Sequence, residues 1–307
     1  MFKKILISFV ALLAILLLSS CTNIGDDGSG IVLIDSKGEK VKFEKEPNNV
    51  VILQASLASV YLLSGGSYVG ITSDYEDYGL EKGDASIVGT TKAPNSEVIL
   101  SLNPDLIIYS DKIAQQVEVS EYLSISGAKT YGVHIDTFED YLFVLKQFTK
   151  LTNRNDLYIL NGANVKTRID EIISRVPNDN PKVMFIRAFS SGFNILGTGN
   201  IVTSMLDDLK CDNIASKETN LSSDVNLEHV LRENPEYIFI VYMGQKNTDK
   251  TEEYLENNLY SNEFYLQLDA VKNNNVYILP TDLFHFKPNN RWADAYEYLF
   301  EILYKEN

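Results

Sequence analysis

The chain has 307 residues, 45% of them hydrophobic, and its 42 acidic against 27 basic residues give a formal net charge of −15. This length allows two domains of ordinary size, and the hydrophobic fraction indicates packed cores rather than disorder. So negative a chain repels phosphate backbones, which excludes nucleic-acid binding.

The N-terminus has the organisation of a secretory signal. Two lysines precede an apolar stretch at residues 5–18, which is too short for an ordinary membrane-spanning helix. Small residues then lead to Cys21, in a Leu-Ser-Ser-Cys pattern that resembles a bacterial lipobox. The pattern predicts cleavage before Cys21 and attachment of a diacylglycerol to its thiol; an uncleaved signal anchor is the alternative. The polar, glycine-containing residues that follow indicate a flexible tether.

Lipidation of Cys21 would leave Cys211 as the other cysteine of the chain. One thiol forms no internal disulfide, so the exported fold depends on its cores alone. We interpret Cys211 as a small core residue rather than a reactive thiol.

The first half of the chain alternates short β-branched runs with helical stretches. Gly65 and Gly66 provide a C-cap for the first helix, and Asn103-Pro104 ends the second. Strands separated by helices favour a mostly parallel sheet that is covered on both faces. The predicted elements are a strand at 49–53, a helix at 55–64, a strand at 68–71, a helix at 97–102, a strand at 105–109, a helix at 114–126 and a strand at 129–133.

From residue 137 to about 175 the sequence is helical without a convincing strand, and Thr137 is a suitable N-cap. Residues 153–176 are predicted to form one helix of roughly 36 Å, at about 1.5 Å per residue. Strand and helix then alternate again. The predicted later elements are a strand at 182–186, a helix at 200–208, a helix at 227–233, a strand at 236–241, a strand at 276–279 and a helix at 292–304.

The chain contains an internal repeat. Residues 95–109 and 226–240 each have a short helix with an early glutamate, then Asn-Pro, an acid and an apolar strand. This recurrence favours two similarly built lobes over one larger sheet. Chance convergence on a common helix-Pro-strand connection is the alternative.

Together these features resemble the ABC-importer binding proteins for iron-siderophores, haem and vitamin B12. The resemblance covers about residues 31–307 and implies an α/β fold, with two Rossmann-like lobes of mostly parallel sheet joined by one long backbone helix. It rests on the strand-helix start at 50–66, the Pro-Asn-x-Glu segment at 94–97 with its Asn-Pro-Asp continuation, the helical middle, and residues 270–277. The expected organisation is a signal peptide in 1–20, a tether in 21–30, an N-terminal lobe in 31–136, a helical region in 137–176 and a C-terminal lobe in 177–307.

The resemblance implies a monomeric receptor, lipid-anchored outside the cytoplasm, that captures a small metal chelate in an interlobe cleft. Family members dock one glutamate from each lobe on a dimeric permease, which works with an ATPase; the matching positions here are Glu97 and Glu228. A carboxylate in the first turn of a helix is favoured by the helix dipole and can pair with arginine across an interface. From position alone, solvated helix-start glutamates are the alternative.

Open α/β sheets bind ligands beyond the carboxyl ends of their strands. Aromatic side chains at these ends suit a bulky chelate. The basic side chains of Lys92, Arg187 and Arg291 could offset the charge of an anionic ferric complex, although Arg291 could instead form an interlobe salt bridge. The candidate ligand-binding residues are Gln54, Tyr75, Lys92, Tyr109, Arg187, Tyr242, Met243, His285 and Arg291.

Several alternatives remain open. His285 and Met243 are residue types that ligate haem iron, so haem or cobalamin could be the ligand. A zinc or manganese receptor would need more histidines at strand ends than His134 and His285 provide. An exported hydrolase would need a nucleophile motif that is missing, and the glycine-rich residues 192–199 lack a P-loop's GK[ST] and predict a turn into the next helix. A lipoprotein that has lost transport is a further possibility. We expect a binding protein without catalysis, resident metal or cofactor.

Overall fold

The structure, a computed structural model, describes residues 30–125, 127–216, 227–244 and 248–305, without the side chains of Leu227 and Glu228. The predicted signal peptide, Cys21 and most of the tether therefore lie outside the described residues. Among the helices that are described, none is both long and apolar enough to cross a membrane.

The N-terminal lobe is built on a parallel sheet with strand order β5-β4-β3-β8-β9. An antiparallel hairpin, β1-β2, lies beside it, and β6 and β7 form a small second hairpin. The elements are β1 (Ile31–Ile34), β2 (Lys40–Phe43), β3 (Val50–Ile52), α1 (Ala55–Leu63), β4 (Gly70–Ile71), a 3-10 turn (Ser73–Tyr78), β5 (Ser86–Ile87), β6 (Gly89–Thr90), β7 (Ala93–Pro94), α2 (Ser96–Ser101), β8 (Leu106–Ser110), α3 (Ala114–Ile125) and β9 (Lys129–Val133).

Both faces of this sheet are buried, as its continuous apolar strands predict. Successive side chains of β3 alternate between two apolar clusters: Val50 and Ile52 pack on one face, and Val51 and Leu53 on the other. Polar side chains are therefore confined to the ends of the strands.

A helical region joins the lobes. Thr137 caps its first helix in a capping box with Asp140, and left-handed Asn153 (φ 54°) separates that helix from the next segment. That segment is helical from 155 to 174 with a π-helical turn in its middle, and is about 30 Å long at about 1.5 Å per residue. The elements are α4 (Phe138–Leu151), α5 (Asn155–Tyr158), the π turn (Ile159–Ala163) and α6 (Asn164–Ser174).

The C-terminal lobe has a sheet of order β11-β10-β13-β14, with β12 also paired to β10; β11 is antiparallel and the others are parallel. Its elements are β10 (Lys182–Phe189), β11 (Gly192–Ile195), α7 (Ile201–Asp208), β12 (Asp212–Asn213), α8 (Leu227–Glu233), β13 (Tyr237–Tyr242), α9 (Thr248–Leu255), a π turn (Glu256–Tyr260), a 3-10 turn (Tyr265–Gln267), α10 (Asp269–Lys272), β14 (Val276–Ile278), α11 (Thr281–Phe284), a 3-10 turn (Asn289–Arg291) and α12 (Trp292–Tyr304).

The closing helix α12 packs along α6. Arg168 of α6 and Arg175, the C-cap of α6, form ion pairs with Asp294 and Glu297 of α12, at 2.8 and 2.6 Å. These exposed pairs contribute little stability by themselves. The larger connection is one apolar cluster that runs from β3 through the helical region to the inner face of β10 and to Trp292.

The internal repeat has the same backbone conformation in both lobes. Asn103 and Asn234 each end a short helix in the left-handed region, with φ of 46° in both cases, directly before the proline. Asparagine tolerates this region better than most residues, and proline cannot continue a helix, so Asn-Pro turns the chain sharply into a strand.

The acid that follows each proline also has the same role. Asp105 accepts backbone hydrogen bonds at the start of β3, from the amides of Asn48 (2.9 Å) and Asn49 (3.0 Å). Glu236 accepts one from the amide of Lys182 (2.9 Å), at the start of β10. The repeated sequence therefore encodes a repeated connection between neighbouring parallel strands.

Most predicted elements are present to within two residues, but two expectations were wrong. The strand predicted at 182–186 continues to Phe189, because β11 pairs with it as a hairpin and supplies extra backbone hydrogen bonds. Part of the glycine-rich segment read as a turn is β11 itself, and the turn into α7 begins only after Ile195. The hairpin β1-β2 and the helical stretch from Thr248 to Tyr260 were not predicted.

Candidate functional site

A bridging loop after α11 connects the C-terminal lobe with the N-terminal lobe. Residues 285–291, after α11, cross from the C-terminal lobe to the N-terminal lobe. The ring of Phe286 packs against that of Tyr78 with 4.6 Å between centroids, and the side-chain amide of Asn289 donates to Ser59 Oγ at 2.7 Å. The loop therefore contacts both lobes.

A cavity of about 210 Å³ lies where this loop meets the ends of β10 and β13 and the start of α7. Its walls are partly apolar, and its polar groups converge from four segments of the chain. The lining residues are Asp136, Phe185, Arg187, Gly199, Asn200, Ile201, Val241, Phe284, His285 and Lys287.

Arg187 lies within β10, not after it as the sequence suggested, and pairs in register with Val241. Alternation along the strand places it on the same face as Phe185, whose side chain is in the interlobe core. Its Nε is buried and has no hydrogen-bond partner among the described residues. An unsatisfied buried donor costs about 1–3 kcal/mol, so this nitrogen favours a partner from water or from a ligand.

Lys287 brings a second cation to the cavity. Its Nζ donates to the carbonyl of Ile135, which uses one of its three donors. Burial lowers the pKa of Lys287, while the carboxylates of Asp136 and Asp140 act in the opposite direction. The ammonium is thus held at the cavity wall by a carbonyl and two nearby acids rather than by a direct ion pair.

His285 is half-buried beside these cations. Burial lowers the pKa of its imidazole, and the positive charge of Arg187 lowers it further, while Asp77 raises it. The histidine is therefore neutral at neutral pH, and becomes a third positive group only in acid.

Asn200 is the N-cap of α7. Its Oδ1 accepts from the amides of Val202 (2.8 Å) and Thr203 (3.2 Å), so its Nδ2 is directed away from the helix. That nitrogen is buried and, among the described residues, has no acceptor. Two residues that line the cavity, one in β10 and one at the start of α7, thus each have a buried donor without a partner among the described residues.

The other candidates of the N-terminal lobe do not line this cavity. Gln54 precedes α1 and is half-buried, Tyr75 lies in the 3-10 turn, and Lys92 is exposed at the tip of the β6-β7 hairpin. Tyr109 packs against the apolar cluster that contains Val51 and Leu53, and its ring lies over Gly132. Of the four, only Tyr109 has a clear structural role, and the ligand contacts predicted for them stay predictions.

Three candidates of the C-terminal lobe also lie away from the cavity. Tyr242 is buried in the cluster on the opposite face of the sheet, and Met243 is 41% exposed. Arg291 is exposed and pairs with Asp282 (2.7 Å) and Asp294 (3.4 Å) of its own lobe. The geometry favours an ion-pair role for Arg291, although within one lobe rather than between lobes.

The two predicted docking residues occupy equivalent helices. Glu97 is exposed in the first turn of α2, where the Asn95 side chain accepts from the amides of Glu97 and Val98, both at 3.1 Å. Glu228 is the second residue of α8, and its side chain lies outside the described part of the structure.

Sequence reasoning missed Asp136, Asn200 and Lys287 as cavity residues. The strand-end rule does point to Asp136, which follows β9. Lys287 lies between the candidates His285 and Arg291 but was not singled out. Asn200 was seen only as a helix start. No local signal indicated that this residue would line a cavity.

The histidines were also considered as metal ligands. His134 follows β9, and its Nδ1 lies 2.9 Å from a carboxylate oxygen of Asp111. Within the described residues, no group of three or more His, Cys, Asp or Glu side chains is arranged to hold a metal ion. Met243 does not reach the cavity that His285 lines, so the geometry gives no support to a shared axial pair for haem.

Comparison with known proteins identifies relatives along nearly the whole chain. Residues 53–283 match the periplasmic binding protein family. The sequence is 29% identical over 301 residues to the Fe(3+)-citrate-binding protein YfmC of Bacillus subtilis, covering 90% of this chain and 89% of that protein. It is 24% identical to the petrobactin-binding protein YclQ of the same organism, with 90% and 91% covered. The structure resembles Staphylococcus aureus SirA complexed with staphyloferrin B in fold, with a TM-score of 0.69, 20% identity and coverage of 89% and 98%.

The lowered pKa of His285 makes a testable contribution to stability. As the pH falls below its ordinary value of 6.5, the unfolded chain takes up a proton before the folded one does, so the free energy of unfolding decreases until the folded-state pKa is passed. Urea unfolding from about pH 7.5 to about pH 5 should therefore show a shallower loss of stability in His285→Gln than in the wild type. Equal slopes would contradict the buried, neutral state of His285.

Proposed function

Because the chain belongs to the periplasmic binding protein family, we propose that it captures a ferric chelate outside the cytoplasm and delivers it to an ABC importer. The observation that carries the proposal is the convergence of Arg187, Lys287 and His285 on one cavity of an otherwise acidic protein. Relatives that bind Fe(3+)-citrate and petrobactin support a ferric ligand. As a binding protein, the chain needs no catalytic step.

The proposed mechanism follows from the connection between the lobes. The ligand enters the cleft and contacts both lobes, and its anionic groups meet the cations at the ends of β10 and of the bridging loop. The shared apolar core and the helical segment 155–174 limit the lobes to a small adjustment. Glu97 and Glu228 then place the loaded receptor on the two halves of the permease, each through a carboxylate at a helix start.

The ligand class is tested by binding to the soluble chain from Thr22 onward, followed by tryptophan and tyrosine fluorescence. The panel contains ferric citrate, a ferric catecholate, a ferric hydroxamate, haem, cobalamin, and free zinc and manganese. We expect saturable, sub-micromolar quenching by a ferric chelate. Binding of zinc or manganese alone would contradict the proposal and direct attention to His134 and His285.

Docking is tested separately from capture. The double variant Glu97→Ala/Glu228→Ala should lose most iron uptake in cells while the purified protein keeps its ligand affinity, because the proposed role of both glutamates is to contact the permease and not the ligand. A matched control replaces two other exposed glutamates, Glu118→Ala/Glu253→Ala, with the same change in charge. Equal uptake by both double variants, or a lower affinity in the first, would contradict the docking role.

The lipid anchor is part of the same proposal. Cys21→Ser should move the protein from the membrane fraction to the soluble fraction, because serine lacks the thiol that takes the diacylglycerol. The chain offers a matched control in Cys211→Ser, which should remain with the membrane. Retention of the Cys21→Ser protein in the membrane fraction would instead indicate an uncleaved signal anchor.

A further inference from the structure

Two residues that line one cavity each have a buried hydrogen-bond donor without an acceptor among the described residues. Arg187 Nε and Asn200 Nδ2 are both buried and unpartnered among the described residues, and both residues line the same cavity of about 210 Å³. Buried donors are normally satisfied, and two exceptions in one place indicate a partner that arrives from outside.

The chemistry of the donors defines that partner. A guanidinium and an amide nitrogen donate but do not accept, and Lys287 has donors beyond the one given to Ile135. The start of α7, an eight-residue helix, adds its positive end. The matching group is therefore an oxygen acceptor that carries negative charge.

The volume of the cavity and the charges of its lining residues further limit which chemical group can bind there. Sites for whole small molecules measure about 300–1,000 Å³, so this cavity takes one arm of a ligand while the rest lies in the cleft. Asp136 also lines the cavity, and its charge disfavours a group with two negative charges. A singly charged, planar group next to an arginine fits these limits.

We propose that this cavity binds a carboxylate arm of the chelate that is not coordinated to iron. The inference rests on the proposed function and names the ligand class: ferric complexes of polycarboxylates. The arm accepts from Arg187 and Asn200, and Lys287 supplies long-range attraction. A chelate whose anionic oxygens all bind iron leaves the two donors unpaired, so the subsite discriminates against it.

The test compares two N-cap asparagines that have the same local role. Asn200→Ser keeps an N-cap oxygen for α7 but removes the amide donor from the cavity. Asn95→Ser makes the same change at α2, away from the cavity, where Asn95 also caps two amides. We expect Asn200→Ser to weaken binding of ferric citrate about tenfold and Asn95→Ser to leave it unchanged.

A second variant and a second probe keep the inference separate from the transport proposal. Arg187→Met should weaken ferric citrate more than Asn200→Ser does, and thermal unfolding verifies that both variants are folded. Tricarballylate, a tricarboxylate offered without iron, should bind the wild type more tightly than Arg187→Met. A ferric hydroxamate, if bound, should show the same affinity for the wild type and Asn200→Ser.

Each result has a distinct meaning. Unchanged ferric citrate affinity in both Arg187→Met and Asn200→Ser would overturn the carboxylate subsite and leave the transport proposal standing. Binding of tricarballylate that is lost in Arg187→Met, with no ferric chelate bound by the wild type, would support the subsite and overturn the transport proposal. Failure of the wild type to bind any ferric chelate or tricarballylate would overturn both.

Discussion

The burial of both sheets on both faces is the constraint on which the rest of the structure depends. Parallel strands need crossover helices, and those helices cover each face with apolar side chains. Polar and charged groups then have space only where the strands end. In this chain the carboxyl ends of β10, β13 and β9 deliver Arg187, Val241 and, just beyond, Asp136 to one place. The cavity follows from the architecture before any ligand is considered.

The cavity contains basic side chains although the chain as a whole is acidic. An acidic surface repels anionic solutes in general, so selective uptake of an anion requires a local reversal of sign. Two cations held in a partly apolar cavity have a stronger local effect than exposed ones, because less water screens them. The groups that line the cavity are held in place by the fold, and such preorganisation lowers the cost of binding.

Much of the architecture was predictable because it depends on local patterns. Apolar runs of strand length, proline stops and the repeated Asn-Pro-acid connection are all visible in sequence, and they led to two lobes with a helical region between them. Asp105 and Glu236 have their roles because each must accept from the start of the neighbouring strand. Because the same local hydrogen bond is needed in both lobes, the same Asn-Pro-acid sequence occurs in both.

The site was less predictable for two physical reasons. Successive strand residues point to opposite faces of the sheet, and the strand-end rule does not distinguish the two faces. It therefore predicted ligand contacts for Tyr109 and Tyr242, although both rings pack in apolar clusters on the face away from the interlobe core. The cavity also depends on residues distant in sequence, since Lys287 reaches Ile135 only after the bridging loop crosses to the other lobe. No local pattern encodes that approach.

The order of these residues along the chain has a consequence for biogenesis. The cavity is assembled from residues between Asp136 and Lys287, and α12 must still follow to complete the core that holds the bridging loop. A chain that becomes available for folding from its N-terminus cannot form this cavity until α12 is also available. Ligand binding at this cavity is therefore a property of the complete fold, and N-terminal fragments that end before α12 are not expected to have it.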